Sequence, residues 1–185
     1  MCLLMITILN RRRLEAERKL RSLPESVLEI AWIREAQVEA VVDAVLAVTY
    51  AGNAAAYAHA RHMGEWCARI AKNLTFGPDP SFARRVGVLA EADPQLLSTL
   101  PELEAFSIYV RAYQTARMER EDATVLSLVM IAADEFERCI SAFASGHGPS
   151  PKSVLVSMLQ HSSQKMAAVF EALERAVQRA EKNVA

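Results

Sequence analysis

The stretch FARRVGVLAEADPQLLSTLPEL, residues 82–103, is the part of the chain that decides how the rest is interpreted. Its apolar letters VGVLA predict the end of a buried helix. Asp93 and Pro94 then predict the start of a new helix, with Asp93 as its N-cap and Pro94 as its first residue. A helix end that carries charged side chains beside a buried run, as this one does at Glu91 and Asp93, is a normal place to hold a metal ion.

Helical periodicity extends over nearly the whole sequence. The 6 glycines and 7 prolines lie almost entirely between helical stretches, and no segment has strand-like alternation bounded by turn signals. A chain of 185 residues can bury most of its apolar surface in one core. We therefore predict an all-α, single-domain bundle of about seven or eight helices over residues 24–185. An N-terminal segment and connector helix precede it at residues 1–23.

Composition excludes several classes of partner. With 21 basic and 22 acidic residues the net charge is −1, so neither nucleic acid nor an anionic membrane surface is expected as a partner. Residues 1–10 are apolar but fall short of the roughly 20 residues that a spanning helix needs. Cys2, Cys67 and Cys139 are odd in number and widely spaced. That pattern is typical of reduced thiols and predicts a cytoplasmic protein.

Two further residues are candidates for chemistry. His59 shares a helical face with apolar residues such as Met63 and Ile70, so it should point inward, either as a core histidine with one hydrogen bond or as a ligand. Asp134 directly follows the apolar run VLSLVMIAA. An acid there costs several kcal/mol to bury unless it is hydrogen-bonded, paired or metal-bound. It is interpreted either as a metal ligand or as an acid that meets an arginine where the helix reaches solvent.

Four segments, HARHMGEWCARIA, VGVLAEADP, VMIAADEFERCI and SPKSVLVSMLQ, together resemble the HD superfamily of metal-dependent phosphohydrolases. The likeness extends over about residues 38–177 and is closest to the HD-GYP branch, which hydrolyses cyclic di-GMP. By position, His59 matches the family's early histidine, and Asp134 matches its late aspartate. The family's His-Asp doublet falls on Ala90-Glu91, where the histidine is absent and the aspartate is replaced by a longer carboxylate.

The resemblance implies a degenerate member of the family. The segment that should supply two adjacent histidines and the GYP signature, residues 101–122, contains neither histidine nor glycine. We therefore assign no catalytic residue and expect no cofactor. The alternative is a single divalent ion (Mn, Fe or Zn) held by His59, Glu91 and Asp134, which falls short of the two-metal site that phosphodiester hydrolysis can use.

Two functions follow from the resemblance. The first is a non-catalytic HD-like regulatory or protein-interaction domain in bacterial-type signalling, which binds a protein partner or forms a homodimer through the connector or the last helix. The alternative is a metal-dependent phosphohydrolase or phosphodiesterase acting on a nucleotide or cyclic dinucleotide, with Arg84, Arg85 or Arg111 as a basic rim. A nucleotide ligand that is bound but not hydrolysed lies between the two. A dry cleft filled by Met63, Trp66 or a tyrosine would favour the first function.

Overall fold

The computed structural model describes residues 25–118, 123–160 and 164–182. These residues form eight α-helices and contain no strand, which confirms the predicted all-α class. The helices are α1 (Glu25–Thr49), α2 (Ala54–Asn73), α3 (Pro80–Val88), α4 (Pro94–Thr99), α5 (Glu104–Met118), α6 (Val125–Ala144), α7 (Pro151–Gln160) and α8 (Gln164–Lys182). In this described part of the chain, each helix lacks the length or the apolar character needed to cross a membrane.

The chain divides into two units, Met1–Ala40 and Val41–Ala185. The described part of the first unit is the N-terminal portion of α1, where Trp32 and Ile33 are exposed. The second unit contains the other seven helices and every site discussed below. The predicted connector helix and its boundary after residue 23 lie outside the described residues.

Two aspartate-proline pairs start helices as predicted. Asp79 accepts a hydrogen bond from the Phe82 amide at 2.9 Å and precedes Pro80, the first residue of α3. Asp93 accepts one from the Gln95 amide at 2.9 Å in the same way at the start of α4. The turn between α3 and α4, which carries Glu91, is therefore bounded by local signals that are readable in the sequence.

Helix α6 lies at the centre of the second unit. All of its residues from 126 to 134 are buried, and it packs against α2, α5, α7 and α8. The helix continues ten residues beyond Asp134 to Ala144. Asp134 is therefore in the middle of a helix and only 6% exposed. The expectation that Asp134 lies where the helix reaches solvent is therefore wrong, whereas the arginine that the same interpretation predicted is present as Arg138, 2.9 Å away.

The last helix is covered by the rest of its own unit. Helix α8 packs against α2, α6 and α7, and the inner stripe of the helix is buried: Met166, Val169, Phe170 and Leu173. Because this apolar stripe contributes to the core, it is not an available surface for a second copy of the chain.

Helices α2 and α3 approach each other closely at Gly64 and Gly87. A Cβ atom added to Gly64 would overlap the Val88 side chain and lie 2.8 Å from the Arg84 carbonyl oxygen. A Cβ added to Gly87 would lie 2.7 Å from the Cys67 sulfur. The two glycines therefore set the distance between α2, which carries His59, and the end of α3, which leads to Glu91.

This packing predicts that Gly64→Ala destabilises the protein. In a helix with space around it, the change would stabilise by about 1 kcal/mol, whereas overpacking against backbone costs about 1–3 kcal/mol. Urea unfolding should show a net loss. The control is Ala58→Gly, at an exposed position of α2, because it measures the difference in helix propensity between alanine and glycine without a change in packing. A Gly64→Ala variant as stable as the parent, or more stable, would contradict the close approach.

Candidate functional site

Two histidines of α2 contact two acids of α6. The Nε2 atom of His59 lies 3.0 Å from Oδ1 of Asp134, and Nδ1 of His62 lies 3.1 Å from Oε1 of Glu137. The two histidines are three residues apart on α2, and the two acids are three residues apart on α6. Each helix therefore presents its two side chains on one face. Both acids are buried, Asp134 at 6% and Glu137 at 3% exposure.

Each buried acid has a second hydrogen bond from its own helix. Oδ1 of Asp134 accepts from Nε of Arg138 at 2.9 Å, one helical turn further on. Oε1 of Glu137 accepts from the Ser141 hydroxyl at 3.3 Å. With Asp134 ionised, His59 donates through Nε2, because a carboxylate has only acceptors. Asp134 is thus both hydrogen-bonded and paired with a cation.

Glu91 is held by residues of α5. Its Oε1 atom lies 2.5 Å from Nη1 of Arg117, and both side chains are partly exposed. The turn that carries Glu91 is also bound by Gln114 of α5, whose Nε2 donates to the carbonyl oxygens of Ala90 at 3.1 Å and Ala92 at 3.2 Å. Two neighbouring turns of α5 therefore fix the loop that carries Glu91.

Two tyrosines share the electrostatic environment of these acids. Burial and the negative charges of Glu91 and Asp134 raise the pKa of Tyr50 to about 12. Burial and the charge of Asp134 also raise the pKa of Tyr113, although the Arg117 guanidinium opposes the shift. Both phenols are consequently neutral at physiological pH and unsuited to act as bases. The Tyr113 hydroxyl is buried beside Asp134, yet it makes no hydrogen bond of good geometry within the described residues.

A cavity of about 180 Å³ opens between α5 and α6, next to Asp134. Its lining consists of Arg117, Ile131, Asp134, Glu135 and Arg138. Two arginines and two acids thus surround one apolar side chain. This cleft is the candidate functional site.

The structure brings together only part of the predicted metal site. His59 and Asp134 are in contact, but the atoms that would coordinate an ion bond to each other, and Arg138 occupies the same oxygen. Glu91 is paired with Arg117. Over the described ranges, no three His, Cys, Asp or Glu side chains are grouped as a metal site. In this arrangement the three side chains do not fit as a ligand set, and single-ion binding stays a prediction.

Several residues of the site were not predicted from the sequence. The arginines suggested as a basic rim, Arg84, Arg85 and Arg111, do not line the cleft. Nη1 of Arg84 lies 4.0 Å from Oε1 of Glu65, and Arg85 is buried. The arginines that line the cleft are Arg117 and Arg138. The His62–Glu137 pair had a readable signal, because H-x-x-H on one helix and D-x-x-E on another share the same spacing.

The remaining side chains named for the cleft belong to the core. Met63 is buried, and Trp66 packs edge-on against Phe136 with ring centroids 4.9 Å apart. Neither residue lines the cavity beside Asp134.

Comparison with protein-family models, curated proteins and solved structures finds no significant match to this chain. The HD resemblance therefore stays a prediction.

The geometry predicts that Asp134→Asn costs about 1.5–3 kcal/mol of stability, the range for hydrogen bonds to a charged group. Asp43→Asn is the matched control, because Asp43 also pairs with an arginine at 2.9 Å but is half exposed. That control should change stability by less than about 0.5 kcal/mol. Urea unfolding of both variants makes the comparison. Equal, small losses would mean that burial of the Asp134 charge is unimportant for the fold.

Proposed function

We propose that this chain is a non-catalytic, HD-like regulatory domain that acts by binding a protein partner or a second copy of itself. The observation that supports this function is the pairing of the candidate ligands. Asp134 is engaged by His59 and Arg138, and Glu91 is engaged by Arg117. Side chains whose charges neutralise one another in this way are suited to stabilising the fold and to recognising a partner. They are less suited to hydrolysis.

The chemistry of phosphodiester hydrolysis explains why this pairing matters. A metal ion lowers the pKa of a bound water and neutralises phosphate oxygens, which requires acids and imidazoles that are open to the ion. Guanidinium groups beside Asp134 and Glu91 repel a second cation at the same oxygens. The raised pKa of Tyr50 and of Tyr113 leaves neither phenol as a substitute base.

One observation favours the alternative, a metal-dependent phosphohydrolase. His59 and Asp134, which are 75 residues apart in sequence, lie in contact, as the HD resemblance expects of these two positions. Metal binding would require the pair to separate and Arg138 to move away. The Arg138 side chain is 56% exposed, so it has the space to do so. The placement of the domain in bacterial-type signalling rests on the resemblance alone.

Metal content separates the two functions. We expect untagged protein to contain no stoichiometric Mn, Fe or Zn by elemental analysis, even after incubation with each ion, because the ligands are paired with one another. We also expect no hydrolysis of cyclic di-GMP. His59→Ala and Asp134→Ala should give the same result, and Asp43→Asn serves as a control for nonspecific binding. Near-stoichiometric metal that disappears in both alanine variants would refute the non-catalytic proposal.

A further inference from the structure

We propose that the exposed acidic face of α1 around Trp32 is the docking surface for the chain's own basic segment, residues 11–21, which packs against it as the first helix of an antiparallel hairpin. The inference goes beyond the proposed function, because it concerns the first unit of the chain and is independent of any metal at Asp134 or Glu91. The segment itself lies outside the described residues, and its helical character is a prediction from the sequence.

The face of α1 around Trp32 combines a large aromatic side chain with acidic neighbours. The Trp32 side chain is 72% exposed, and the adjacent Ile33 is 45% exposed. Glutamates lie three and seven residues before Trp32 and three and seven residues after it: Glu25, Glu29, Glu35 and Glu39. Successive residues of a helix are about 100° apart, so all four lie within roughly 60° of Trp32. A basic occupant fits such a face, because its cations can pair with the glutamates and stack on the indole ring.

The net charges of the two segments are opposite. Residues 25–40 of α1 contain four acidic residues and one basic residue, a net charge of −3. Residues 11–21 contain six basic and two acidic residues, a net charge of +4. Glu35 and Glu39 each interact within the chain already. The specific pairs of the hairpin are therefore assigned to the other two glutamates of the face.

The basic segment has a stripe that matches this face. In the predicted connector helix, three arginines and a leucine follow one another at spacings of three or four residues and share one side: Arg11, Leu14, Arg18 and Arg21. The two acids of the segment, Glu15 and Glu17, lie about 80° to either side of the centre of this stripe. The stripe thus has the composition of the α1 face with the charges reversed, because a large apolar side chain lies among charges of one sign.

The two faces match residue by residue when the helices run antiparallel. Both helices rise about 1.5 Å per residue, so residues meet when each step back along one helix is matched by a step forward along the other. Leu14 beside Trp32 sets the register. To within one residue, the same register brings opposite charges together at two further places: Arg21 beside Glu25, and Arg18 beside Glu29.

The connection between the two helices has the length that such a hairpin needs. Residues 22–24, Ser-Leu-Pro, separate the basic segment from Glu25, the first residue of α1. Helical hairpins use connections of about 2–5 residues, and a proline disfavours helical geometry at the residue before it. The short connection also holds the segment beside α1 at a high effective concentration, so weak pairs are sufficient for docking.

Other occupants fit this face less well. A second copy of α1 would bring glutamate against glutamate in either orientation, because the four glutamates are placed symmetrically about Trp32. The basic segment of a second copy would make the same contacts as the chain's own segment, but without the advantage of the short tether. A separate basic protein would have to displace a tethered segment.

The test is acrylamide quenching of Trp32 fluorescence in the full chain. The chain has two tryptophans, so a Trp32→Phe variant gives the contribution of Trp66 to be subtracted. We expect Trp32 to be shielded at low salt, because the docked segment covers it, and to become accessible in about 1 M salt, where the Debye length falls to about 3 Å. Arg18→Glu should shift the docking equilibrium about fivefold toward the undocked state, the upper range for an exposed ion pair, and raise the quenching.

Two further variants make the test specific. The double variant Arg18→Glu/Glu29→Arg exchanges the two charges and should restore the shielding of Trp32 to the parent level. Arg12→Glu is the matched control, because it makes the same charge change about 140° away from the centre of the stripe. It should raise the quenching of Trp32 by less than half as much as Arg18→Glu does.

Other results would overturn the inference. Equal quenching of Trp32 in the parent and in Arg18→Glu would mean that the segment does not dock on this face. Equal increases in Arg18→Glu and Arg12→Glu would indicate attraction without a defined stripe, and a double variant that fails to recover would reject the register. Shielding that is lost on dilution, together with a dimer in sedimentation, would assign the face to the segment of a second copy.

Discussion

Burial of the Asp134 charge in the middle of a central helix is the constraint on which the rest of the site depends. An ionised carboxylate in such a place costs several kcal/mol unless cations and hydrogen bonds surround it. Arg138 provides the charge from the same helix, and His59 provides a second bond from α2. One turn further on, His62 and Glu137 repeat the contact. Sliding α2 along α6 by one turn would remove at least one acid from its histidine, so the pairs also fix the register of the two helices.

The need for positive charge beside a buried acid also connects the arginine–acid pairs of this chain with the chemistry of metal sites. A buried acid needs positive charge nearby, and either a divalent ion or an arginine can provide it. In this chain Arg138 lies on Asp134, and Arg117 lies on Glu91. An arginine supplies charge and directional donors but no bound water to activate. The charge of each acid is therefore balanced from within the chain itself.

Local signals made much of the fold predictable, whereas the long-range pair between Glu91 and Arg117 was not predictable. Asp79-Pro80 and Asp93-Pro94 start helices through contacts within three residues, and the apolar letters of α6 indicated its central position. The Arg138 partner of Asp134 is also local, at i+4. The Glu91–Arg117 pair spans 26 residues. It depends on how α3 and α5 pack, which no sequence pattern specifies.

The glycine contact between α2 and α3 connects these features. Because Gly64 and Gly87 allow the two backbones to approach, the turn after α3 is held near the end of α2 that carries His59. Glu91 then acts electrostatically on Tyr50 and Tyr113, as does Asp134. Arg117, which is paired with Glu91, opposes the effect of both acids on the pKa of Tyr113. The two acids, Arg117 and the two phenols therefore interact as one electrostatic group, whose geometry depends on the close approach of α2 and α3.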